Sequence, residues 1–180
     1  METIVQAKRV LEIFKEMSQI PRESGNEKGI SDYIVNFAKN LGLEVHQDEI
    51  FNVVIKKAAS PGYENRPSII LQGHIDMVCV KDHDSNHDFA KDPIANIIEG
   101  EWMRADHTTL GADNGMGAAM MLAILEDESQ QHGPMQLLFT TNEETGMDGA
   151  FALKEGQVTG DYLINLDTEV EHDFTVSCAG

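Results

Sequence analysis

Cysteine is scarce. Only Cys79 and Cys178 occur in 180 residues, which excludes both a disulfide framework and a closed cysteine zinc site. Both thiols sit among apolar neighbours, as buried free cysteines do, and their small number fits a reducing cytoplasm. Positive charge is scarce too: 13 Lys+Arg stand against 31 Asp+Glu, for a formal charge of −18. That balance argues against a nucleic-acid or anionic-membrane partner and favours cations. No run of 18 apolar residues is present, so no membrane-spanning helix is expected. No signal peptide is expected in the first twenty residues, because Lys8, Arg9 and Glu12 interrupt any apolar run there. Internal repeats and low-complexity tracts are absent as well. What remains is the pattern of one compact acidic domain.

The first twenty residues place Ile4, Ala7, Leu11, Phe14 and Met17 on one helical face. After Pro21, Ser24 and Glu27 have capping-box spacing, and Ile30, Ile34, Phe37, Ala38 and Leu41 recur at helical intervals up to Gly42. LEVHQDEIFNVVIKKA offers two short strands, and SIILQGHID reads as a central buried strand after the turn-rich SPGYENRP. KDHDSNHDFAKDP is a polar loop, and IIEGEWMRA suggests a hairpin around Glu99 and Gly100. From Asp113 the small, apolar GMGAAMMLAILED predicts a helix packed closely on a sheet. MQLLFTT then predicts a strand, GAFALKEG a short helix, and DYLINLDTE another strand ending in acids. Helices alternating with apolar strands predict an α/β layered fold with a largely buried sheet.

In such sheets ligands gather beyond the carboxyl ends of the strands. That rule selects His74 and Asp76 after SIILQG, Glu143 and Glu144 after MQLLFTTN, and Asp167 after DYLINL. Asp113, in GAD, stands at a loop-to-helix junction. Neighbouring carboxylates in a low-dielectric site raise one another's pKa unless a cation compensates them. An oxygen-rich set with one imidazole suits zinc, manganese or cobalt, and two ions would need a bridging carboxylate. His74 and Asp76, two apart, share a strand face, so Asp76 can hold the imidazole.

Each position also has an ordinary reading: a core or loop pair for His74 and Asp76, a turn residue or helix N-cap for Asp113, and a strand-end cap for Asp167. The adjacent Glu143 and Glu144 could be a solvated loop pair. If their strand continued, they would point to opposite faces. If it ends before them, one can bind an ion while the other carries a proton.

LQGHIDMV, TTLGADNGMGAAM, FTTNEETGMDGA and INLDTE together resemble the aminoacyl-histidine (Xaa-His, or cytosolic non-specific) dipeptidases. These are two-metal peptidases related to carboxypeptidase G and the aminoacylases. The likeness extends to HDFAKDPI and the closing FTVSCAG. It implies a three-layer, zinc-peptidase-like catalytic domain, with a mostly parallel mixed sheet and helices on both faces. By the resemblance, His74 and Asp167 bind one metal, Glu144 binds the other, Asp113 bridges them, Glu143 is the general base and Asp76 orients His74. The resemblance also implies a cis peptide between Asp113 and Asn114, two divalent ions (zinc first, manganese or cobalt as alternatives), and dipeptide substrates ending in histidine.

Members of that family are considerably longer, with an inserted lid that supports homodimerisation and one more metal-ligand histidine near the far C-terminus. The 180 residues are therefore expected to be the N-terminal segment of the catalytic domain, incomplete at the C-terminus. His83, His87, His107, His132 and His172 are expected to be ordinary surface histidines. Two alternatives remain: an aminoacylase or deacylase with the same metal centre, and a non-catalytic metal-binding fragment of a split enzyme.

Overall fold

The computed structural model describes residues 2–168 and 175–176, with side chains from Ala7 onward. His172, Cys178 and most of the closing FTVSCAG lie outside the described residues. Among the described residues three long helices form where the periodicity is helical: α1 (Glu2–Met17), α2 (Lys28–Asn40) and α3 (Ala112–Glu126). Seven strands form among the described residues, namely β1 (Glu44–Gln47), β2 (Val53–Lys57), β3 (Ile69–His74), β4 (Asn96–Glu99), β5 (Trp102–Ala105), β6 (Met135–Thr140) and β7 (Tyr162–Asn165). Two single-turn helices, α4 (Glu143–Gly146) and α5 (Asp148–Phe151), follow β6.

The main sheet has the order β1-β2-β6-β3-β7, and β4 with β5 makes a separate hairpin turning at Gly100 (φ 65). β3 is parallel to both β6 and β7, while β2 is antiparallel to both β1 and β6. Only β2 is therefore opposed to the other four strands, as a mostly parallel mixed sheet requires. Among the described residues β7 is an edge strand, and its Tyr162, Leu163 and Ile164 are exposed.

The apolar strands read as continuous runs because both faces of the sheet are covered. Val53, Ile55, Leu71, Leu137 and Phe139 face the helices and share one core with Phe14, Ile34 and Leu122. Val54, Ile70 and Leu138 face the other way and are covered by Leu153 and Val158. GAFALKEG was expected to form a longer helix than it does. α5 ends at Phe151, because Leu153 is drawn onto this second face and the chain turns at Gly156 (φ 82).

Two further expectations are corrected. On α1 the buried stripe is Ile13, Phe14 and Met17 with Val10 partly buried, whereas Leu11 is exposed. The helix packs chiefly on α3, which selects this stripe over the overlapping one. The capping box does not form: α2 has no side-chain cap at Glu27, and Ser24 and Glu27 hydrogen-bond elsewhere. Among the described residues no helix is long and apolar enough to cross a membrane.

α3 approaches the sheet closely because Gly73 has no side chain. A Cβ at Gly73 would collide with Asn114 Oδ1.

Candidate metal centre

β3 and β6 end level, with His74 beside Thr140, and β7 ends two residues short of them, with Asn165 beside Gln72. His74, Glu143 with Glu144, and Asp167 therefore leave the sheet at one edge, and the start of α3 brings Asp113 to the same place. The peptide between Asp113 and Asn114 is cis. Asp113 and Asn114 have non-helical backbone, so the regular part of α3 begins beyond them, and Asp113 Oδ1 lies against His74 Nε2. The strand before the glutamates ends at Thr140 and they open α4, so both can turn to one site.

Asp76 is the hub beneath that edge. It is fully buried, lies 3.2 Å from His74 Nδ1, and accepts hydrogen bonds from Ser24 Oγ (2.7 Å), Glu143 N–H (3.1 Å) and Glu144 N–H (3.2 Å). Burial alone would raise its pKa, but His74, Ser24 and the two backbone donors outweigh burial and hold it near about 2. The carboxylate is thus ionised and can only accept, so His74 Nδ1 carries a proton and Nε2 is left to face the opening. His74 is itself buried. Burial works against its charged form, yet Asp76 first, then Asp167 and Asp113, lift the ring to about 9 in the metal-free chain.

Around His74 Nε2 lie Asp113 Oδ1 at 3.1 Å, Asp167 Oδ2 at 3.7 Å and Glu143 Oε2 at 3.9 Å. His74, Asp113 and Asp167 form one group whose ligand atoms lie within 4.8 Å of one another, and His74, Glu143 and Glu144 form a second. The two groups share the imidazole, so they are one continuous cluster. Burial raises the pKa of Asp167, and Asp113 and Glu143 add to it; burial, then Asp113, raises that of Glu144. The carboxylates crowd one another in a way that a divalent cation would relieve, and hard oxygens with one imidazole are a donor set such a cation accepts.

A raised carboxyl pKa means that the folded state disfavours the ionised form. Its contribution to stability is present below the ordinary value near 4.3 and is lost as pH rises through the higher folded value. At neutral pH Glu144 therefore works against folding of the metal-free chain. Glu144→Gln is expected to raise the urea midpoint of the metal-free chain at pH 7 and to leave it nearly unchanged at pH 4, while weakening metal binding. Denaturation at the two pH values checks this.

Several supporting residues escape a reading by motif. Arg22 is buried, and burial lowers its guanidinium to about 10, still charged at neutral pH. Asn114 donates from Nδ2 to Asp167 Oδ1 (3.0 Å) and to Leu166 O (2.8 Å), fixing the last acid. Asn52 accepts from Thr141 N–H (3.1 Å) and donates to Gly149 O (2.9 Å), closing the turn that carries the glutamates. Their signal lies in long-range pairing, which adjacency in sequence does not display. Among the described residues no second histidine joins the cluster; His107, for example, pairs with Asp82 at 2.7 Å.

A profile of peptidase family M20/M25/M40 matches residues 70–177, more than half of the chain, and that span holds all six site residues. The chain belongs to this peptidase family. The M20 chain is 48% identical over 169 residues to the cytosol non-specific dipeptidase of Escherichia coli, with 94% of this chain and 35% of that protein covered. Its structure matches the aminoacylhistidine dipeptidase of Vibrio alginolyticus with a TM-score of 0.88 and 47% identity, over 91% of this chain and 33% of that one. A dinuclear metal-binding M20 peptidase from Bacillus subtilis shares the fold, with a TM-score of 0.50 and 16% identity, over 78% of this chain and 36% of that one. The M20 chain thus spans about a third of the length of the two dipeptidases it matches.

Proposed function

We propose that this chain carries the metal-binding segment of a cytoplasmic dipeptidase that hydrolyses dipeptides, including those ending in histidine, with two divalent cations. Zinc is the first choice; manganese and cobalt suit the same donors. The observation that carries the reading is the buried, ionised Asp76 directing His74 Nε2 toward Asp113, Asp167 and Glu143. In this reading His74, Asp167 and Asp113 would hold one cation, and Glu144 with Asp113 would hold the other. Asp113 suits both positions because its Oδ1 lies against the imidazole while its side chain is 66% exposed.

When bound, the cations supply Lewis acidity toward the scissile carbonyl and acidify the attacking water. The chain's own residues divide the remaining work. Asp76 keeps the proton on His74 Nδ1, so that Nε2 stays a ligand atom. Glu143 takes a proton from the attacking water and returns it to the leaving amine. Its backbone N–H, bound to Asp76 Oδ1, keeps the base registered against the imidazole.

The two cation positions differ in completeness. His74, Asp113 and Asp167 supply one, whereas among the described residues Glu144 and Asp113 have no imidazole of their own. We place the completing histidine, the lid and the homodimer contact outside these 180 residues. The chain alone should bind one cation tightly and a second weakly, with little dipeptidase activity. Calorimetric zinc titration checks this, and two equally tight sites would overturn it. For the substrate class, the chain supplemented in trans with the C-terminal portion of a relative should cleave alanyl-histidine. Cleavage of N-acyl amino acids instead would favour a deacylase.

A further inference from the structure

The segment PRESGNE, Pro21 to Glu27, lies outside the residues matched by the family profile and forms a turn leading into α2. Its side chains nevertheless reach all the loops that carry the candidate ligands except the one after β7. Buried Arg22 donates from Nη1 to the carbonyls of Ile75 (3.2 Å) and Asp76 (3.1 Å), and from Nη2 to that of Gly111. The exit of β3 is thereby joined to the entry of α3, two residues before Asp113. Gly111 permits this with a positive φ of 71 and no side chain, since a Cβ there would lie 2.5 Å from Arg22 Nη2.

Met77 N–H donates to Arg22 O (3.1 Å) and Glu23 forms a parallel bridge with Met77, so the segment runs alongside the β3 exit. Ser24 Oγ donates to Asp76 Oδ2 (2.7 Å). Glu27, only 4% exposed, accepts at Oε1 the N–H of Asn142 (2.9 Å), the residue immediately before the two glutamates. Asn142 is left-handed (φ 53), so this bond fixes the corner at which the chain turns from β6 into α4.

A side-chain cap at a helix start is ordinarily worth about 1 kcal/mol. Ser24 and Glu27 have the spacing to provide one and do not; α2 starts uncapped while both side chains are spent on the site. We propose that Arg22, Ser24 and Glu27 are positioning residues of the metal centre, a clamp that sets the spacing between the loops carrying His74, Asp113 and the Glu143–Glu144 pair. The proposal rests on the metal-centre reading above. It adds that metal affinity depends on three residues that touch no metal.

Zinc titration of the 180-residue chain by calorimetry, with urea denaturation of the zinc-free protein in parallel, tests this in Ser24→Ala, Ser24→Thr, Glu27→Ala and Glu27→Gln. Ser24→Ala and Glu27→Ala are expected to weaken zinc binding by about tenfold. Ser24→Thr restores the hydroxyl and Glu27→Gln restores an acceptor oxygen, so both should bind within about threefold of the parent. A merely structural role would shift the urea midpoint and leave the affinity of the folded protein unchanged. Ser24 is half-buried, and its alanine variant supplies a folded comparison even if Glu27→Ala does not fold. Parental zinc affinity in folded Ser24→Ala, or failure of Ser24→Thr to restore affinity, would overturn the clamp. Failure of the parent chain to bind zinc at all would instead overturn the metal-centre reading, and the clamp with it.

Discussion

Replacing Glu143 with alanine is expected to lower dipeptide turnover by about a hundredfold to ten-thousandfold, the usual worth of a positioned general base, while bound metal stays in place. Replacing Glu144 is expected to do the reverse first: one equivalent of metal is lost, and turnover falls because of it. The contrast is clean because the loop is anchored through its backbone. Asp76 takes the N–H of Glu143 on Oδ1 and that of Glu144 on Oδ2, and neither bond is removed when a side chain is shortened.

Both measurements belong on an active assembly, the chain supplemented with the C-terminal portion, with kcat read beside metal content. Geometry alone does not separate the two glutamates, since Glu143 Oε2 lies 3.9 Å from His74 Nε2 and both acids fall in one ligand group with the imidazole. Metal loss in Glu143→Ala with metal retained in Glu144→Ala would exchange their roles.

Much of this edge was legible in the residues themselves. Ile69–His74 and Met135–Thr140 are apolar on both faces because both faces are covered, and the residues following such strands are the ones a site can use. What could not be read was the partner each polar side chain would choose. Ser24 and Glu27 satisfy a local rule for capping, but the Ser24 hydroxyl meets an ionised carboxylate 52 residues away, and a charge-assisted bond is stronger than a neutral one. On α1, two stripes with helical spacing overlap at Phe14 and Met17, and only the packing of α3 decides between them. Arg22 shows the same limit. No motif marks Arg22, yet three backbone carbonyls converge on its buried guanidinium.

Asp76→Asn should expose the competition between proton and metal at His74. Asparagine keeps one acceptor but places a donor among groups that all donate to the carboxylate, so at least one buried N–H or O–H loses its partner, at about 1–3 kcal/mol of stability. The imidazole also loses its strongest charged neighbour. In the parent chain His74 is held near about 9, so below that pH a metal must displace a proton, and apparent affinity should rise roughly tenfold per pH unit toward 9. In the variant the ring moves back toward its ordinary value of about 6.5, and its affinity should level off roughly two pH units earlier. Intrinsic affinity falls by about tenfold to a hundredfold with the loss of the orienting carboxylate, but near pH 6 the easier deprotonation, worth roughly a hundredfold for a two-unit shift, cancels that loss. The deficit should therefore be small near pH 6 and widen steadily to pH 8.5. Cobalt titrations followed by visible absorption across that range measure it directly. A deficit independent of pH would mean that Asp76 orients the ring without setting its charge.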